Sequence, residues 1–158
     1  MSEDLQPTTV PLWRTPDRIR VVAVAIVRDG NRILVFEGND PSKPERFYRP
    51  IGGEVEFGEP ADEALRREFH EELGVDLSEI RYLTTIENRF VFGERPGHEY
   101  VRVYEASLAG GDVPTTGRLE NGTTFPVIWL DLDQARSGES ILYPDGLLDV
   151  LEGRGQDG

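Results

Sequence analysis

Apolar residues recur along the chain at two spacings, and the switches between them mark out its elements. Residues 20–28 carry a dense Val, Ile and Ala run, Asp29-Gly30-Asn31 supplies turn chemistry, and residues 32–37 are expected to pair back as a hairpin. Residues 38–45, with Pro41 and Pro44, read as a loop before a short strand at 46–49, and Pro50-Ile51-Gly52-Gly53 turns the chain. From Pro60 to Leu73 the period becomes helical, with Ala61, Ala64, Leu65, Phe69 and Leu73 on one stripe, Pro60 at the start and Gly74 as a left-handed stop. Strands return at 80–92 and 100–108, joined through residues 93–99. Residues 109–121, rich in Gly and Pro, read as a loop. A further strand at 123–130, a short helix at 131–137 and a closing helix at 145–151 complete the pattern. Strands on both sides of one long helix predict an α+β fold.

Residues 1–17, punctuated by Pro7, Pro11 and Pro16, are expected to form an arm or tail in which Trp13 docks; residues 18–152 form a single domain, and 153–158 a disordered tail. The 158 residues suffice for one buried core. A formal charge of −13 argues against a polymeric nucleic acid, whose affinity for proteins comes from Lys and Arg neutralising phosphates. No apolar run is long enough to span a bilayer, the opening residues lack a secretory pattern, and there is no cysteine. A cytoplasmic protein without membrane partners is therefore expected.

The polar side of the helix carries the candidate chemistry. At about 100° per residue, Asp62, Glu63, Arg66, Arg67 and His70 fall on the side facing water, whereas Glu68 and Glu72 project among Ala61, Leu65 and Phe69, with Glu71 at the same edge. At a half-buried edge, two carboxylates ~6 Å apart repel by about 3 kcal/mol at an effective dielectric of ~20. A proton or Arg67 offsets part of this; a divalent cation neutralises all three acids together. All the donors are hard oxygens, with only His70 and His98 as imidazoles, so Mg²⁺ or Mn²⁺ is expected and zinc is not.

Gly53, Glu59, Arg67, Glu68, Phe69, Glu71, Glu72, Gly74 and Val75 match the pattern Gly-x5-Glu-x7-Arg-Glu-apolar-x-Glu-Glu-x-Gly-apolar, which resembles the signature box of the Nudix hydrolases. Phe69 stands where that family prefers an aliphatic residue, and Glu54 where many members have a third glycine. The order of elements extends the similarity from about residue 19 to about residue 151. The resemblance implies an α/β/α sandwich with a mixed sheet and a loop-helix-loop box, and a metal-dependent pyrophosphohydrolase that cleaves a nucleoside diphosphate linked to another moiety. It implies Glu68 and Glu72 as metal ligands, Glu71 as a ligand or a water-positioning base, Glu59 as their support and Arg67 as an orienter of carboxylates. The Gly53 carbonyl is a further ligand or simply part of a turn. Glu99, beside His98 at a loop end, is similar to the extra acid some members bring in as general base; an ordinary surface glutamate is the competing reading.

For the substrate, Phe47, Tyr48 and Phe92 are candidates to stack on a base or are core residues, and Arg49, Arg89 and Arg102 are candidates to pair with phosphate or form surface ion pairs. The proline of ADP-ribose members and the extended signatures of NADH and coenzyme A members are absent. Nucleotide sugars, dinucleoside polyphosphates and nucleoside triphosphates remain as substrate classes, and many relatives pair as homodimers. A non-catalytic nucleotide sensor is the alternative, although such modules often lose the box acids that this chain retains. An isoprenoid diphosphate isomerase of related fold would want a cysteine, and the chain has none.

Overall fold

The computed structural model describes residues 14–153; the expected docking of Trp13, most of the arm and residues 154–158 of the tail lie outside the described residues. The elements run β1 (Arg20–Ile26), β2 (Arg28–Asp29), β3 (Arg32–Asn39), β4 (Arg46–Pro50), β5 (Gly52–Glu54), α1 (Ala61–Leu73), β6 (Leu77–Phe92), β7 (Arg95–Leu108), β8 (Thr116–Arg118), β9 (Thr124–Asp131), α2 (Leu132–Arg136), β10 (Ile141–Leu142) and α3 (Leu147–Leu151). The mixed sheet is divided in two: β5-β1-β7-β6, with β1 and β7 parallel, and β10-β4-β3-β9-β8, with β10 and β4 parallel.

The first expected hairpin is only partly formed. Arg28 and Asp29 pair with Ile33 and Arg32 around Gly30, but beyond them β1 joins β5 and β7 while β3 joins β4 and β9. Every residue from Val22 to Val27 is buried, which demands cover on both faces of the strand, and an isolated hairpin cannot supply it. The two strands therefore separate into facing sheets. Val22, Val24, Ile26, Val101 and Val103 meet Ile33, Val35 and Leu130 between them, and Leu132 of α2 and Leu147 of α3 close the same cluster.

The β6–β7 hairpin is longer than expected because its turn is shorter. Gly93 and Glu94 both adopt positive φ (58° and 65°), as a two-residue type I′ turn requires, so residues 95–99 belong to a strand. Gly97 lies opposite Phe90, and a Cβ there would meet the ring at 2.4 Å; Gly38 opposite Phe47 and Gly117 opposite Phe125 repeat this arrangement. The last pair adds β8 inside the segment expected to be a loop.

The helix matches its sequence pattern. Pro60 caps it in an extended conformation with its carbonyl accepting the Ala64 N–H at 3.0 Å, and Gly74 ends it at φ 70°. Leu65, Phe69 and Leu73 pack on Ala23 and Ala25 of β1 and Tyr104 and Ala106 of β7, so α1 lies against one core cluster and α2 and α3 against the other. Among the described residues, no helix is long and apolar enough to cross a membrane. Phe69 is fully buried. Phe69→Ala is expected to cost about 3–5 kcal/mol, read from urea unfolding midpoints with an unchanged m-value; a loss below about 1 kcal/mol would contradict this packing.

Candidate active site

Strand β5 and helix α1 bring the box together. Gly52 and Gly53 pair with Val24 and Ala23 of β1, and α1 crosses so closely that a Cβ on Gly53 would lie 2.2 Å from the Glu68 carboxyl carbon. Any larger residue there would force the Glu68 side chain to move. Glu68 is in turn only 15% exposed, and Glu72 lies beside it. Burial first, then a hydrogen bond to Glu68 and the charges of Glu68 and Glu71, push the Glu72 carboxyl up to about 9.

Arg67 does not occupy the wet side assigned to it by the helical wheel. Its side chain is only 25% exposed and lies between Glu59 (Nε to Oε2 2.8 Å), Glu68 (3.1 Å) and Glu71 (3.2 Å), and it also donates to the Glu54 carbonyl at 3.2 Å. A long arginine reaches around the helix from a Cα that points elsewhere. The contact with Glu59 holds that carboxyl below its ordinary range and raises the guanidinium. Glu71 remains 56% exposed, with Oε1 turned to Arg67. Among the described residues, no three acidic or imidazole side chains stand ready-grouped for a metal. The donor set nevertheless fits a hard cation: paired carboxylates of which one resists ionisation, beside a glycine cradle that brings backbone to within contact of them.

Glu68 and Glu72 open into a cavity of about 590 Å³ whose other walls include Arg20, Arg49, Asn88, Phe47, Phe92 and Tyr143. Phe47 stands edge-on to Phe92 (centroids 6.4 Å apart) and is tilted against Tyr143 (5.3 Å). Of the expected substrate residues, Arg49, Arg89, Phe47 and Phe92 line this space. Tyr48 does not. Alternation along β4 turns it to the opposite side, where it packs on the inter-sheet core and its hydroxyl donates to Glu37 at 3.3 Å. Arg102 also lies outside the cavity lining: its guanidinium covers the Tyr82 ring at 4.3 Å and donates to Thr85 at 3.2 Å.

The loop-end position expected for Glu99 is corrected, because it sits within β7 at 1% exposure. Oε1 accepts from Arg49 and from Asn88 (3.2 Å), and Oε2 from Arg20 (3.3 Å). Arg20, Asn88 and Tyr143 are site residues that the sequence reading does not single out. Period-two parity with the buried Val22 and Val24 would have put Arg20 on the inner face.

The NUDIX domain family model matches residues 17–146, and the chain belongs to the Nudix hydrolase family, enzymes that act on phosphoric anhydrides. It is 31% identical over 114 residues to a NAD-capped RNA hydrolase NudC of Vibrio atlanticus, covering 70% of this chain and 38% of that protein. A NudC of Chromobacterium violaceum is 29% identical over 117 residues (73% and 39%). The chain thus spans about two-fifths of the length of these relatives. Among solved structures, a MutT Nudix hydrolase from Burkholderia pseudomallei is similar with TM-score 0.56 and 25% identity, covering 74% of this chain and 86% of that one. A Nudix hydrolase from Nitrosomonas europaea reaches TM-score 0.64 at 17% identity (85% and 87%), a likeness of fold.

The raised Glu72 carboxyl has a consequence for stability. Between about 4.5 and about 9 the unfolded chain has released this proton while the folded one retains it, so the contribution of Glu72 makes the metal-free protein less stable as pH rises through that window. Thermal melts in EDTA are expected to show this fall, and Glu72→Gln to flatten it; an equally steep fall in the variant would contradict the assignment. Gly53→Ala is expected to leave a folded protein but to displace Glu68, removing most of the Mn²⁺-induced rise in melting temperature. A wild-type rise would show that the close approach is dispensable.

Proposed function

We propose that residues 18–152 form a metal-dependent pyrophosphohydrolase that splits the diphosphate of a nucleoside diphosphate joined to a second moiety. The observation that carries this reading is the single cavity shared by the Glu68–Glu72 pair, Arg49 and the aromatic group of Phe47, Phe92 and Tyr143. Acids at one end suit the anhydride, and rings at the other suit a base. Relatives named for NAD-capped RNA and, in the human protein NUDT13, for NAD(P)H support a dinucleotide-like diphosphate as one substrate class, beside nucleotide sugars, dinucleoside polyphosphates and nucleoside triphosphates. The charge of −13 favours the small nucleotide over a long polyanion.

Glu68 and Glu72, with the Gly53 carbonyl, would hold Mg²⁺ or Mn²⁺. When bound, the cation supplies positive charge to the phosphate oxygens as the anhydride breaks. Arg67 keeps Glu59, Glu68 and Glu71 in register. Glu71, 56% exposed and held to Arg67 through Oε1, orients the attacking water and takes its proton. The water oxygen bonds to one phosphorus, the bridging P–O bond breaks, and its electron pair leaves with the other phosphate. Arg49 and Arg89 steady the phosphates, and the rings flank the nucleoside. The reaction needs no membrane partner, and we assign the protein to the cytoplasm.

The test is a panel of nucleoside triphosphates, nucleotide sugars, ADP-ribose, NAD⁺, NADH and dinucleoside polyphosphates with Mg²⁺ or Mn²⁺, with products identified to locate the broken bond. Turnover on at least one diphosphate is expected, with Glu72→Gln folded but at least about a hundredfold slower, about 2.7 kcal/mol in barrier. Wild-type rates in Glu72→Gln would refute the site, and no hydrolysis of any diphosphate would refute the activity.

A further inference from the structure

Glu99 is the one fully buried carboxylate among the described residues, and it lies at the end of the sandwich where the packed core gives way to the substrate cavity. Three strands aim at it. Arg20 of β1 and Asn88 of β6 are its direct cross-strand neighbours on either side of β7, so the three side chains share one face of that sheet. The third partner, Arg49, comes from β4 in the other sheet and reaches across the gap to Oε1. Arg20, Arg49 and Asn88 all line the cavity, whereas Glu99 lies behind them.

Glu99 carries two guanidiniums, of which Arg20 is shared with Glu54 (Nε to Oε1 3.3 Å), and the cavity wall they form also contains Glu68 and Glu72. Arginines left unanchored in such a space would pair with those acids and compete with any cation or phosphate there. A buried carboxylate with both oxygens already accepting hydrogen bonds is badly placed to take a proton from water, but well placed to fix guanidinium planes.

We infer that Glu99 is a positioning residue: it holds Arg49, beside the Arg20 that it shares with Glu54, as the phosphate-gripping wall of the substrate cavity and keeps Arg49 off Glu68 and Glu72. This rests on the pyrophosphohydrolase reading for its substrate and replaces the role of general base expected for Glu99. A diphosphate meets guanidiniums that are already oriented, so the effect of Glu99 falls on binding, whereas a base would act on the chemical step.

The experiment uses Glu99→Gln, which keeps the shape and removes the charge, with α,β-methylene-ADP as a probe that cannot be hydrolysed at its methylene bridge. Calorimetry in EDTA and in Mg²⁺ is expected to show at least about a tenfold weaker Kd in both buffers, about 1.4 kcal/mol. In an Arg49→Ala background the same change is expected to have little further effect. With the best diphosphate of the panel, KM is expected to rise by about the same factor while kcat stays within about threefold. Unchanged affinity with a lowered melting temperature would make Glu99 only a clip between sheets and overturn the inference. So would a loss confined to kcat with an altered acid limb of the pH profile, which marks a base, or a wild-type chain with no affinity for the probe. If Glu99→Gln does not fold, Arg49→Ala must itself weaken the probe about tenfold, and wild-type affinity there overturns the inference. A wild-type chain that binds the probe but hydrolyses no diphosphate refutes the hydrolase reading alone, and the calorimetric result still decides the clamp.

Discussion

The close approach of Glu68 and Glu72, pressed against the Gly53 backbone, is the constraint around which this molecule is arranged. Burial first, then the neighbouring Glu68 and Glu71, make an ionised Glu72 costly to the folded state and push its carboxyl up to about 9. The surrounding structure makes that crowding tolerable without relieving it. Leu65, Phe69 and Leu73 fasten the helix from its apolar side, and Arg67 offsets charge from the flank while its contacts extend to Glu59 and Glu71. At neutral pH the pair therefore shares a proton, and a divalent cation that displaced it would gain two hard oxygen ligands.

The two-sheet framework explains how that acidic corner comes to face a binding space. Because β1 and β3 separate after their short common turn, the sheets are packed by Val and Ile along most of their length and stand open at one end. Into that opening project Arg49 and Phe47 from β4 and Phe92 from the tip of β6. The glycines opposite Phe47, Phe90 and Phe125 let these rings lie flat across neighbouring strands, so the space is walled by aromatic faces on rigid backbone. Charge is separated within the cavity: Glu68 and Glu72 on the helix side, arginines held by Glu99 and Glu54 on the strand side.

Local chemistry alone makes the helix legible in the sequence. Its cap, its stop at Gly74 and its apolar stripe all lie within fifteen residues, and the box acids follow from them. The Gly93-Glu94 turn is harder to place, because Pro96 and Gly97 read as loop residues, whereas the Phe90 ring accommodates Gly97 within a strand. A helical wheel puts Arg67 on the wrong side because it records the direction of a Cβ and not the reach of a guanidinium. Glu99 is the least legible of the site residues. Its burial depends on Arg20, Asn88 and Arg49, which are separated from it by 79, 11 and 50 positions in the chain, and only the paired sheets bring them together. Tyr48 shows the converse, since lying between the cavity residues Phe47 and Arg49 does not decide which face of a strand a side chain occupies.

Anomalous scattering from crystals soaked in Mn²⁺ shows whether the acid pair holds a cation. A peak is expected within coordination distance of both Glu68 and Glu72, beside the Gly53 carbonyl, with the two carboxylates no longer hydrogen-bonded to each other. A fully soaked crystal in which these acids keep their shared hydrogen bond, with manganese elsewhere or nowhere, would contradict that assignment.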